Sequence, residues 1–185
     1  LSFIAFISLG MPDGLLGVAW PGIRNDFNLP LDAIGLLLVF STAGYISSSF
    51  FSGVLVRRFG IGGLLSLSCG ATATALMVYS LTPFWWLFVV AAALGGLGAG
   101  AIDAGINTYV EKNHSERMMQ WLHASFGIGI TMGPVIMTLG ISLTTRWQIG
   151  YMLVSSAQLI LALTFFLTRG LWKGISTVES EKHHE

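Results

Sequence analysis

The hydrophobic residues of this chain fall into six long runs separated by short polar or turn-forming links. An apolar run of roughly 20 residues is long enough to cross a bilayer as a helix. The pattern therefore predicts six membrane-spanning helices, at 1–23, 32–56, 61–80, 84–110, 118–143 and 148–168. Short links favour antiparallel packing of sequence neighbours, so we expect one bundle over 1–168. The polar remainder, 169–185, is predicted to be a cytoplasmic tail or the start of a linker.

Composition supports a membrane protein. Charged residues make up 10% of the chain and hydrophobic residues 54%, whereas a soluble domain has about 25% charged residues. The formal net charge is zero, so no nucleic-acid partner is expected and the lipid bilayer is the expected surrounding. His183 and His184 are adjacent near the end, which is not the defined geometry that a metal site needs. We therefore expect no metal and no cofactor.

The basic residues predict an orientation. Lysine and arginine are enriched in cytoplasmic loops. We expect the chain to lie in the cell (inner) membrane with both ends in the cytoplasm. Seven basic residues then lie on the inner side and two on the outer side. The inner seven are Arg57, Arg58, Lys112, Arg117, Arg169, Lys173 and Lys182, and the outer two are Arg24 and Arg146. Four tryptophans, Trp20, Trp85, Trp86 and Trp147, are then expected in an aromatic belt near the outer surface.

The fourth run carries an acid and an amide in a segment otherwise made of small and aliphatic residues, Gly95–Val110. Asp103 and Asn107 are four apart, so they share one face of a helix. Gly96 and Gly100 belong to a row of small residues with the same spacing, which lets another helix approach closely. The run therefore predicts a polar site between packed helices.

Asp13, near the middle of the first span, is expected to face the bundle interior or water, because an acid at the centre of a spanning helix costs about 2.5–3.5 kcal/mol. The alternative is a structural acid that caps a broken helix or pairs with a neighbour. Asp13 follows Pro12, where a kink or short break is expected. Asp103 and His123 lie at similar depths in neighbouring spans, where the two side chains are expected to meet. Such a pair can take up and release a proton near neutral pH. The alternative is a fixed hydrogen bond that clamps two helices.

Weak internal repetition predicts the arrangement of the helices. Gly10-x-x-Asp13 and Gly100-x-x-Asp103 each lie in the helix that opens a group of three, as in an inverted three-plus-three repeat. In the fifth run, Gly129, Gly133 and Pro134 predict close helix contact and a kink.

The link Gly53–Gly60 resembles a motif of the major facilitator superfamily of transporters. Gly53, Arg58 and Gly60 match its Gly-x-x-x-Asp-Arg-x-Gly pattern in the inner-gate loop, while Arg57 occupies the acid position. The resemblance implies an all-α integral membrane fold, with this chain as the N-terminal six-helix half made of two inverted three-helix repeats. The acid of the motif helps to lock the inner gate, and this chain has an arginine there.

Within that superfamily the chain is most similar to the fucose–proton symporter branch. The similarity lies in Ile102–Asn107 (IDAGIN), Leu122–Gly127 (LHASFG) and Gly133-Pro134. It implies that Asp103 is the proton- and substrate-linked acid and that Asn107 and Asp13 line the substrate cavity.

The expected function is therefore half of a secondary active transporter, which moves a small polar solute such as a sugar by alternating access. A proton, or sodium in its place, would be the coupling ion. The required partner is a second six-helix half, either from the same protein or from a second copy. A multidrug or other effluxer is the alternative, and a non-transporting membrane partner is a further one. No enzyme is expected, because the Tyr-Asp and Gly-x-Gly-Asp motifs of intramembrane aspartyl proteases are absent.

Overall fold

A computed structural model describes residues 2–113 and 115–170, and nearly all of this part is helical. The elements are α1 (Ser2–Asp26), a short 3-10 turn (Leu31–Ala33), α2 (Ile34–Leu81), α3 (Trp85–Asn113), α4 (Glu116–Thr144) and α5 (Gln148–Thr168). Among the described residues, five helices are long and apolar enough to cross a membrane. Most of the predicted tail, including His183 and His184, lies outside the described residues.

Helix α2 contains two of the predicted spans. The non-helical link between these two spans is shorter than expected. The predicted separator at 57–60 is helical up to one residue, Gly60, whose backbone angles are φ 70° and ψ 169°. That combination is essentially restricted to glycine. We refer to residues 34–59 as α2a and to residues 61–81 as α2b.

The contacts of α3 establish that the chain folds back at Gly60. Glycines along α3 meet α2a in the same residue order, in the pairs Gly96–Ser41 and Gly100–Tyr45. They meet α2b in the opposite order, in the pairs Gly95–Ala75, Gly98–Thr72 and Gly105–Leu64. Helix α3 therefore packs parallel to α2a and antiparallel to α2b, and the six predicted spans are all present.

Helices α1 and α4 form a second parallel pair, built in the same way as α2a and α3. Gly10 lies against the carbonyl of Phe126, and Gly100 lies against the carbonyl of Tyr45. These two glycines open the two Gly-x-x-Asp segments. An inverted repeat relates the first span to the fourth and the second span to the fifth. It therefore predicts that the pair α1–α4 is equivalent to the pair α3–α2a. The helix arrangement agrees with the expected one, in which two inverted three-helix repeats form one half of a larger bundle.

Aromatic side chains fill one end of the bundle, which we call the Trp147 end. Phe88 stands at its centre and packs on the rings of Tyr79, Trp85, Trp147 and Tyr151. The four tryptophans predicted near the outer surface differ in their burial. Trp20 and Trp147 are each only 5% exposed, because they pack into this core, whereas Trp86 is 70% exposed.

Substitution at Gly129 tests the close contact of α1 with α4. A Cβ at Gly129 would collide with the backbone carbonyl of Ile7, whereas a Cβ at Gly127 would point into open space. We expect Gly129→Ala to destabilise the protein by about 1–3 kcal/mol, the usual cost of overpacking. Thermal unfolding in detergent measures the effect, with Gly127→Ala as the matched control. Equal melting temperatures for the two variants would contradict this packing.

Candidate functional site

The carboxylate of Asp103 receives a hydrogen bond on each oxygen. The hydroxyl of Tyr45, on α2a, donates to Oδ2. The amide Nδ2 of Asn107, one turn along α3, donates to Oδ1 at 3.0 Å. An ionised carboxylate only accepts hydrogen bonds, so these two donors match its chemistry. Asp103 thereby links two parallel helices.

The row of small residues on α3 brings Tyr45 within reach of Asp103. The carbonyl of Tyr45 packs directly on Gly100, three residues before the acid. Ser49, also on α2a, donates its hydroxyl to the carbonyl of Gly100 at 3.3 Å. A side chain at position 100 would push α2a away and separate the phenol from the carboxylate. The packing row and the polar site are therefore one structural unit.

Asp13 lies on the same side of the bundle but is held differently. Helix α1 stays continuous through Pro12, so the short break expected there is not formed. The Asp13 side chain is exposed, and it lies near enough to the Tyr45 hydroxyl for the two groups to interact electrostatically. No hydrogen bond to its carboxylate is present among residues 2–113 and 115–170. Asp13, Tyr45 and Asp103, from three helices, thus form one polar face, which we call the acid wall.

The inverted repeat accounts for the different hydrogen bonding of Asp13 and Asp103. Gly10 and Gly100 occupy equivalent helix contacts, and the aromatic residues they meet are Phe126 and Tyr45. Tyr45 carries the hydroxyl that binds Asp103. Phe126 has none, so the repeat-related position offers Asp13 no donor. Asp103 is clamped, whereas Asp13 remains open to a ligand.

Asn107 adds an unused acceptor to the acid wall. Its Nδ2 donates to Asp103, while its Oδ1 is buried and has no hydrogen-bond partner among the residues that the structure describes. A buried amide oxygen without a donor is costly. It can accept a hydrogen bond from a ligand hydroxyl or from a solvent molecule.

His123 does not meet Asp103, contrary to the expectation from depth. It is exposed on α4, and its ring lies edge-on to Phe6, with the ring centroids 6.1 Å apart. In the described part of the chain no hydrogen bond or ion pair joins His123 to Asp103. The reason is that α4 packs along α1, whereas α3 packs along α2a and α2b. His123 and Asp103 therefore belong to different helix pairs. No three His, Cys, Asp or Glu side chains among the described residues are grouped to hold a metal ion.

The predicted inner-gate residues lie apart from the acid wall. Gly53, Arg57, Arg58 and Gly60 are all exposed around the reversal of α2. The guanidinium of Arg58 stands 5.7 Å from the centroid of the Phe59 ring. Within 2–113 and 115–170 neither arginine forms an ion pair. Both charges are free to meet a partner outside the described residues.

Two functional candidates emerge only from the structure. Tyr45 is the sole tyrosine of α2a, and the serines at 47, 48 and 49 follow it, which is the one sequence signal that could have drawn attention to it. Gln158, in the sixth run, is 1% exposed and binds α1. The sequence signal for Gln158 was an amide side chain inside an apolar membrane helix, because a polar side chain buried there needs a specific partner.

A double-mutant cycle tests the link between Tyr45 and Asp103. Tyr45→Phe leaves one oxygen of the carboxylate without its donor, so we expect a loss of about 1–3 kcal/mol in the free energy of unfolding. In an Asp103→Ala background the same substitution should have little effect. Thermal unfolding of the four proteins measures the coupling. An equal loss in both backgrounds would show that the hydroxyl does not act through Asp103.

Comparison with known proteins identifies a family that matches this chain. The family model for the Major Facilitator Superfamily matches residues 2–182. The sodium-dependent glucose transporter 1A of Mus musculus is 26% identical over 137 residues, which cover 72% of this chain and 32% of that protein. The glucose/mannose transporter GlcP of Bacillus subtilis is 25% identical, over 79% of this chain and 37% of that protein.

A relative with a different named role is matched as well. The class C tetracycline resistance protein of Escherichia coli is 25% identical, over 80% of this chain and 39% of that protein. The chain therefore spans between about a third and two fifths of the length of these curated relatives.

Proposed function

The chain belongs to the Major Facilitator Superfamily, and on that premise we propose that it forms one half of a sugar transporter, with Asp103 as the proton-coupling residue. The observation that carries the proposal is the bond of Asp103 to donors on two helices, Tyr45 on α2a and Asn107 on α3. Protonation of the carboxylate removes its charge and changes both bonds. A proton is thereby linked to a contact between two helices of one half, and that half rocks against the other as the cavity opens and closes.

The acid wall suits a solute that carries several hydroxyls. Asp13 offers an exposed carboxylate, and Asn107 offers an amide oxygen that has no donor. Both accept hydrogen bonds, and a sugar has neighbouring hydroxyls that donate them. Two of the matched relatives are named as glucose transporters, which supports the same substrate class.

A second six-helix half completes the proposed cavity. The acid wall is one polar face, and a solute needs groups on the opposite side to be enclosed. Alternating access then follows from rocking of one half against the other. The second half is either a further part of the same protein or a second copy. His123 remains a candidate for proton transfer only through a movement or a bridging group, because it does not contact Asp103.

Drug export is the second candidate. The match to a tetracycline resistance protein favours it. Against it stand the two carboxylates close to one phenol, which suit a polyhydroxylated solute better than a largely apolar one. We also propose that the protein is a transporter and no enzyme, because the matched sugar relatives are named as transporters.

The Gly60 reversal and both ends of the bundle are proposed to face the cytoplasm. Seven basic residues would then lie inside and two outside. A cysteine introduced at Arg57, in a Cys69→Ala background, should react with an impermeant thiol reagent only after the cells are opened. Reaction in intact cells would reverse the orientation.

Uptake into proteoliposomes tests the function, using the full protein encoded by the reading frame that contains this chain. We expect an imposed pH gradient to drive glucose uptake, and Asp103→Asn to abolish that gradient-driven component because it removes the titrating group. Asp32→Asn, at an exposed carboxylate in the 3-10 turn, is the matched control.

The outcomes of this assay separate the alternatives. Unchanged gradient-driven uptake in Asp103→Asn would refute the proton role. Glucose uptake driven only by a sodium gradient would replace the proton by sodium. Tetracycline movement without glucose movement would favour export.

A further inference from the structure

Gln158 is a polar side chain buried among membrane helices. It lies on α5, is 1% exposed, and within the described part of the chain its polar contacts are with one residue of α1, Ser8. Its Nε2 donates to the backbone carbonyl of Ser8 at 2.6 Å. Its Oε1 lies 3.3 Å from the Ser8 hydroxyl, whose single proton is shared with the carbonyl of Ala5 at 3.0 Å. The amide group of Gln158 thus lies against one turn of α1, and its Nε2 makes the shorter contact, to the Ser8 carbonyl.

The Ser8 carbonyl needs this outside donor because of Pro12. In a helix the carbonyl of a residue accepts from the amide four positions later. Position 12 is proline, which has no N–H, so the Ser8 carbonyl has no helical donor. Inside a bilayer an unsatisfied backbone group costs several kcal/mol, and water is not at hand to replace the donor. Gln158 supplies the missing hydrogen bond.

The repeat-related turn in α3 has no such requirement. Counting from the two Gly-x-x-Asp segments, Gly98 corresponds to Ser8 and Ile102 to Pro12. Ile102 has a backbone amide that can donate to the Gly98 carbonyl. At Gly98 the neighbouring helix α2b approaches closely through Thr72 instead of an amide side chain. The outside donor therefore occurs in the repeat that contains the proline.

We propose that Gln158 is a positioning residue, which fixes the turn of α1 around Pro12 and thereby holds Asp13 at the acid wall. Asp103 is placed by two side-chain hydrogen bonds, but Asp13 has none among the described residues. Its position depends on the backbone that carries it, and Pro12 weakens that backbone one residue earlier. The inference rests on the proposed function only for the role of the wall in transport.

Thiol labelling at residue 13 tests the positioning without any transport. The parent is the full protein with Cys69→Ala and Asp13→Cys, and an impermeant thiol reagent measures the accessibility of residue 13. We expect Gln158→Leu to change the labelling rate by roughly tenfold, the shift that about 1.4 kcal/mol produces. Ser8→Ala removes only the longer of the two bonds and is expected to change the rate much less. An unchanged rate in Gln158→Leu would overturn the proposal.

Rescue separates this role from a general loss of packing. Pro12→Ala restores a backbone donor to Ser8, so it should return labelling of the Gln158→Leu protein towards that of the parent. If Gln158→Leu alone does not accumulate, recovery of protein in the Pro12→Ala, Gln158→Leu double variant supports the same conclusion. Failure of Pro12→Ala to rescue either labelling or accumulation would overturn it.

Glucose uptake, measured with Asp13 intact, provides the second readout. We expect Gln158→Leu to raise KM more than it lowers kcat, because a displaced Asp13 weakens solute binding. A fall in kcat alone would contradict the link to Asp13. If the wild-type protein moves no glucose while the labelling results hold, the proposed function fails and the positioning role stands.

Discussion

The bond between the Tyr45 hydroxyl and the Asp103 carboxylate ties two parallel helices together at the centre of the polar face. A carboxylate in a membrane is costly, so it persists only where donors or water surround it. Here one donor comes from the neighbouring helix and one from the next turn of its own helix. Gly100 makes this possible because its missing side chain lets α2a approach. The glycine row and the acid therefore depend on each other.

The inverted repeat gives the bundle two similar helix pairs, but the side chains beside their acids differ. The pair α2a–α3 has a tyrosine beside its acid, and the pair α1–α4 has Phe126 at the equivalent place. Pro12 makes a second difference, because it removes a backbone donor next to Asp13. Gln158 from α5 compensates for that loss. Asp103 thus forms a hydrogen-bonded contact between two helices, and Asp13 is an exposed group on a turn that Gln158 supports.

The hydrophobic pattern was enough to predict the six spans, because burial in a bilayer demands long apolar runs. It also predicted the glycine contacts, since small residues at four-residue spacing mark close approach. The partners of the polar groups could not be predicted in this way. His123 was matched to Asp103 by depth alone, and depth does not say which helices pair. Tyr45 and Gln158 were missed because their roles depend on partners 58 and 150 residues away in the chain.

We propose that Asp103 changes protonation as part of a solute-linked cycle. Infrared difference spectroscopy of the full protein in lipid measures this directly, by following the carbonyl stretch of protonated carboxyl groups as the pH is varied. The account predicts a band that titrates over the pH range in which uptake changes, shifts when glucose is added, and is absent in Asp103→Asn. A band that persists in Asp103→Asn, or the absence of any band that responds to glucose, would contradict it.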